Sequence, residues 1–301
     1  HHIDNGASGT RWIMSGSEDI GNGMKVGFNW EWQNSSNLQF SRAIKDDDGP
    51  DTQAMRKAEV WFSGNWGKLS IGQGDGAGNG TTEVDLSDTW NAGAYVSRVS
   101  FGSGVAWRTG AGGTIGLTHG QTGSYFDAFS RHDRVRYDSP ALGPVTVSAS
   151  TGQNELWEIA GRVSTSLGGG QLSGAIFYGE DNATDNRWGG AASFLFSQGT
   201  NITFSYSQTE AVGAATEADS IYIKLGHKWG NNAVSVGYGV TDDQTVGFED
   251  SGWNIGFNHN IPKPKVDIYA SYHHNELDTP TGVPGVGDIS AFVVGTKLKF
   301  D

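Results

Sequence analysis

"GMKVGFNWEWQ", residues 23–33, decides how this chain is read. Met24, Val26, Phe28, Trp30 and Trp32 alternate with Lys25, Gly27, Asn29, Glu31 and Gln33. Successive side chains of a strand point to opposite faces, so the stretch has one apolar and one polar face. The run is long for a soluble strand and ends in aromatics. Its apolar face therefore lies against either a protein core or lipid.

The same two-residue period runs through the rest of the chain, and helical periodicity is nearly absent. "SIYIKLGHK" sets Ile221, Ile223 and Leu225 against Tyr222 and Lys224. "GWNIGFNHN" sets Trp253, Ile255 and Phe257 against Asn254, Gly256 and Asn258. Fifteen strands are legible, near 9–17, 23–33, 54–63, 68–73, 131–139, 143–152, 155–166, 170–179, 187–197, 200–209, 217–227, 232–240, 249–260, 264–274 and 289–300. Short connections such as "GNWGK" (64–68) and "KWGNN" (228–232) alternate with long ones near 34–52, 74–130, 180–186, 209–217, 241–250 and 275–288. An all-β meander with tight turns at one end and long loops at the other is the pattern of a transmembrane antiparallel up-and-down barrel, spanning residues 1–301 as a single domain. A soluble sandwich would have short loops at both ends, and a propeller would repeat a motif at fixed spacing. Trp12, Trp30, Trp32, Trp157, Trp188 and Trp253 fall near strand ends, where an interfacial girdle would lie.

Composition narrows the function classes. The 301 residues include 46 glycines and no cysteine, which removes disulfides, thiolate metal sites and thiol catalysis. No apolar run is long enough for a transmembrane helix. The formal charge of −13, from 33 acids and 20 bases, argues against a nucleic-acid partner. It also tilts the expected ion preference of any water-filled lumen toward cations. Ser, His and Asp are scattered without a nucleophile elbow. His273 and His274 point to opposite faces of one strand, so together they do not make a metal site. "GQGDGAGNG" (72–80) lacks the βαβ context of a dinucleotide site.

Three motifs carry a family resemblance. "SGTRWIMSGSEDIGNGMKVGFNWEWQ", "RKAEVWFSGNWGKLSIGQG" (56–74) and "RHDRVRYDSPALGPVTVSASTGQ" (131–153) resemble, in order, three strand-turn-strand motifs of the general bacterial outer-membrane porins. The last strand ends in the aromatic Phe300, as porin strands do. Departures are Ile13 in place of a glycine, "VWF" in place of Val-Gly-Leu, Gln73 or Gly74 in place of a final arginine, and Asp301 after the terminal aromatic.

The resemblance implies a sixteen-stranded homotrimeric barrel, embedded in outer-membrane lipid and lipopolysaccharide, that passes small hydrophilic solutes and ions without catalysis. Segment 74–130 would be the loop folded into the lumen. Its acids Glu83, Asp85 and Asp88 would face Arg11, Arg56, Arg134 and Arg136 across the pore and set up a transverse field. A substrate-specific sugar or anion channel is the alternative, with an outer-membrane hydrolase or a soluble carbohydrate-binding β protein behind it. No cofactor is implied. Carboxylate-rich outer loops such as "IKDDDGPD" (44–51) are candidates for a divalent cation such as Ca2+, or for bridging to lipopolysaccharide through one.

Two points stay open in the sequence. Single-chain bacterial barrels have an even strand number. The missing strand is expected to be the first and to precede this numbering, ending near "HHIDNG" as the first outer loop; failing that, closure must come from another chain or from a strand within 74–130. The alternation of Ala58, Val60 and Phe62 puts Lys57 and Glu59 inward and Arg56 outward, whereas the resemblance wants Arg56 inward. Both hold only if a bulge intervenes or if this wall meets a neighbouring subunit.

Overall fold

The computed structural model describes residues 4–5, 9–35, 52–213 and 216–300. Among the described residues, fifteen antiparallel strands form one meandering sheet. They are β1 (Thr10–Gly21), β2 (Met24–Ser35), β3 (Thr52–Gly64), β4 (Gly67–Asp75), β7 (Arg131–Asp138), β8 (Val145–Gly152), β9 (Trp157–Leu167), β10 (Gly170–Asp181), β11 (Asp185–Leu195), β12 (Thr200–Ala211), β13 (Ala218–Trp229), β14 (Asn232–Asp242), β15 (Glu249–Ile261), β16 (Val266–Asp278) and β17 (Ile289–Leu298). Each of the fifteen expected strands is present, displaced by a few residues at its ends. The remaining pair, β5 (Ala106–Arg108) and β6 (Thr114–Thr118), makes a separate hairpin inside segment 74–130. That segment therefore supplies no strand to the large sheet. It is not structureless, because it also holds the short helix α1 (His119–Thr122). The sheet curls until its first and last strands face one lumen: Arg11 of β1 and Lys297 of β17 line the same cavity.

The wall is inside out relative to a soluble protein. Outward side chains are large and apolar: Ile176 is 69% exposed, Ile223 54% and Phe204 46%. Inward ones are small or polar and buried, among them Ser193, Thr203, Ser205, Ser235, Asn254 and Ser271. Lipid satisfies that arrangement, since neighbouring strands pair one another's backbone and hydrocarbon covers the outward side chains. In the opening stretch Trp30 is 42% exposed and Glu31 only 8%, so its apolar face points to lipid. The expected girdle forms at the outer ends of the strands. Trp157 packs on Tyr178 with ring centroids 5.5 Å apart, Trp188 on Tyr206 at 5.2 Å and Trp253 on Tyr272 at 5.2 Å.

The conflict over Arg56 is settled by a bulge. Glu31 pairs with Lys57, but Trp32 pairs with Met55, so Arg56 is the extra residue in β3. A bulge lets two consecutive side chains reach the same face. Arg56 bonds Glu31 at 2.5 Å and Lys57 bonds Asp75 at 2.5 Å, while Glu59 remains inward against Arg134 and Asn29. No subunit contact is needed to explain Glu59.

Candidate functional site

Between β4 and β7 the chain folds into the barrel and lies against the inner wall from β8 round to β16. Its contacts are polar because the inner wall is polar. Near its start, the Ala77 amide donates to Ser150 Oγ at 2.8 Å. Lys224 reaches from β13 to Asp85 at 2.6 Å and also donates to the carbonyl of Ala94. Thr89 meets Ser235 at 2.7 Å, and Asn91 donates to Asp267 at 2.7 Å. The strongest anchor is the buried pair of Arg98 and Asp250, at 2.8 Å. Arg98 also donates to Thr241 at 3.1 Å and to the carbonyl of Asp250 at 2.8 Å, so its fork is filled. Beyond it, Trp107 packs with Phe248, Leu277 and Ile289 at the outer mouth. Close approach needs small residues at the contact. A Cβ on Gly256 would stand 2.4 Å from the Cβ of Ala94.

With one side of the lumen filled, an open cavity of about 690 Å³ remains between the segment and the strands β17 and β1 to β4. Its charged lining comprises Arg11, Arg56, Lys57, Arg131, Arg187 and Lys297 against Glu31, Asp75, Glu83 and Asp127. Glu31 and Asp75 are spoken for. Glu31 lies 2.5 Å from Arg56 and 3.5 Å from Arg11, and Asp75 lies 2.5 Å from Lys57 and 3.2 Å from Arg131. These carboxylates hold the basic side chains upright along one wall.

Glu83 and Asp127 lie on the opposite side, on the inserted segment. Asp127 accepts from the Gly80 amide at 2.7 Å and the Thr82 hydroxyl at 2.8 Å. Glu83 accepts from the Tyr125 hydroxyl at 2.7 Å. Burial and then the neighbouring Asp127 push the Glu83 carboxyl up to about 7. Burial also raises Asp127, against the hydrogen bonds that favour its charge. Burial first, and the Glu83 charge second, raise the Tyr125 phenol well above its ordinary value. Two carboxyls in one desolvated place resist ionising together.

Of the seven residues singled out in the sequence, Arg11, Arg56 and Glu83 line this cavity and four do not. Asp85 is turned under the segment toward Lys224. Asp88 is more than half exposed and 3.6 Å from Lys228. Arg134 is buried against Glu59 and donates to the carbonyls of Gly72 and Asp75, both at 3.0 Å. Arg136 pairs with Asp138 at 2.7 Å and donates to the carbonyl of Gly76 at 2.8 Å. These two arginines are inward, alternating with the exposed Val135 and Tyr137, but they clamp the root of the segment. Lys57, Asp75, Asp127, Arg131, Arg187 and Lys297 were not singled out. Lys57 was legible as inward-facing. Asp127 had no signal, because its place depends on how the segment folds back. The acidic stretch 44–51 lies outside the described residues.

A Gram-negative porin family model matches residues 2–280. No curated protein matches the chain by sequence. Among solved structures it is similar to an anion-selective porin from Comamonas acidovorans, at 18% identity and a TM-score of 0.68, covering 99% of this chain and 91% of that one. It is also similar to a triple mutant of the Rhodopseudomonas blastica porin, at 16% identity and 0.60, covering 96% and 89%. The trimer form of OmpT, an outer membrane protein of Vibrio cholerae, is similar at 13% identity and 0.58, covering 95% and 88%. The inverted wall, the segment folded into a polar lumen and the family match agree: the chain belongs to the Gram-negative porins, outer-membrane channels through which small hydrophilic solutes diffuse passively.

Proposed function

We infer that this channel prefers anions. One observation carries the reading: among the described residues, six cationic side chains and four carboxyls line the cavity beside the inserted segment. Near neutral pH the excess of positive charge is larger than that count, because Glu83 titrates at about 7. Basic side chains around a narrow passage set anion selectivity. The overall charge of −13 points the other way, toward the cation preference that composition suggests. The charges lining the cavity govern, since those more than a Debye length away are screened there. The similar Comamonas acidovorans protein is described as anion-selective, which is in keeping.

The test is the reversal potential of the purified protein in a planar bilayer under a potassium chloride gradient. The expected sign favours chloride. Neutralising Arg11, Arg56 and Lys57 to glutamine together should move it toward potassium. A wild-type potential already on the potassium side would overturn the reading. Family and fold are those of a channel rather than an enzyme. We also take the working unit to be a homotrimer, as in the trimer form of the Vibrio cholerae neighbour. Its mass in detergent by light scattering tests that.

A further inference from the structure

A second group of side chains lies outside the pore and takes no part in it. His274 and Glu276 are two apart on β16 and share its outward face. His274 stands just beyond the aromatic pair Trp253 and Tyr272, on the outer side. Asp288 immediately precedes β17 and is brought beside them by the β16–β17 ladder, in which His274 pairs with Ser290. The Nε2 atom of His274 is 3.1 Å from Glu276 Oε1 and 3.7 Å from Asp288 Oδ2. All three ligand atoms lie within 4.8 Å of one another. The other ring nitrogen, Nδ1, is 2.9 Å from Ser290 Oγ, which also accepts from the Tyr272 hydroxyl at 3.2 Å. With Nδ1 engaged, Nε2 is the nitrogen aimed at the carboxylates.

We propose that His274, Glu276 and Asp288 form an outward-facing site for a divalent transition-metal ion of the zinc class. Ligand bonds of about 2.1 Å at the tetrahedral angle place neighbouring ligand atoms about 3.4 Å apart. The two measured separations from Nε2 straddle that value. One imidazole nitrogen and two carboxylate oxygens suit a borderline metal, whereas Ca2+ and Mg2+ prefer all-oxygen shells. Three protein ligands leave a fourth position for water or an outside ligand. Ser290 supplies the outer contact that fixes the ring, as partners of metal-bound histidines do. His273, the neighbour in sequence, points inward against Phe101 and takes no part.

The full chain, purified in detergent and stripped with a chelator, is titrated calorimetrically with Zn2+. One saturable ion per chain is expected, with millimolar Ca2+ failing to displace it. His274→Ala and Glu276→Gln should each abolish it, and Ser290→Ala should weaken it about tenfold. His227→Ala, at the opposite rim, should leave it unchanged. Glu276 is 60% exposed, so its variant keeps the fold and decides the matter if His274→Ala yields no channel. Zn2+ binding that survives both variants, or that Ca2+ displaces at equal concentration, overturns the proposal. So does the absence of a saturable site.

Discussion

At the scale of residues, the inserted segment places a titrating acid opposite a fixed basic wall. The Glu83 carboxyl is neutral below about 7 and charged above it, because burial and Asp127 oppose ionisation. Raising the pH through that value adds negative charge to the passage, so chloride preference should fall between pH of about 6 and 8. Reversal potentials over that range check this, and Glu83→Gln should flatten the curve. The stability linkage has the same origin. A carboxyl raised from its ordinary value favours the protonated folded state. Stability from this group is present at low pH and is lost as pH climbs toward about 7. Glu31 and Asp75 act differently, as struts. Glu31→Ala should free Arg56 and Arg11 to move, giving noisier single-channel currents with anion preference kept or increased.

At the scale of elements, the inserted segment is held by two buried ion pairs, by hydrogen bonds to the wall and by close packing. Removing one partner of a buried pair leaves an uncompensated charge and costs about 3–5 kcal/mol. Arg98→Ala leaves the fully buried Asp250 with only the Thr122 hydroxyl and His119 beside it, and should lower the melting temperature measured by circular dichroism. The released segment should also change the conductance. Asp85→Asn should act similarly through Lys224 but less severely, because the Lys224 amine keeps its hydrogen bond to the Ala94 carbonyl. Gly256→Val tests packing without charge. The new Cβ would meet Ala94 at 2.4 Å, and one of the two backbones must give way. An altered conductance with the ion preference unchanged is the expected outcome. The bulge at Arg56 belongs to this scale too. It turns Arg56 and Lys57 to the same side of β3, which regular alternation forbids.

At the scale of the whole molecule, the apolar belt faces outward and the polar groups face in. A charge placed at mid-depth on the outer face should therefore be far costlier than the same charge in the lumen. Ile223→Arg, at a position 54% exposed, should destabilise folding into lipid vesicles by about 2–4 kcal/mol. Urea titration of vesicle-folded protein measures it. Arginine at an equivalently exposed position of a soluble protein would change stability by about half a kcal/mol or less. The contrast thus reports the solvent as well as the site.

The sequence by itself determined the strands, their facing and the medium around them. Those depend on local alternation, and alternation as regular as that of "GMKVGFNWEWQ" leaves few competing folds. Alternation also made Lys57 and Lys224 available to the lumen, and the porin resemblance implied the same of Arg11 and Glu83. Only the tertiary structure decided which of them meet. Segment 74–130 has no period, so nothing local says that Asp85 turns back to Lys224 while Glu83 faces the passage. Asp127 reaches Gly80 and Thr82 across a span of about forty-five residues. Asp288 reaches His274 only through the ladder of the last two strands. The physical reason is range. Alternation is a property of neighbours along the chain, whereas the balance of charge in an aperture is a sum over side chains delivered by β1 to β4, β7, β11, β17 and the inserted segment between them.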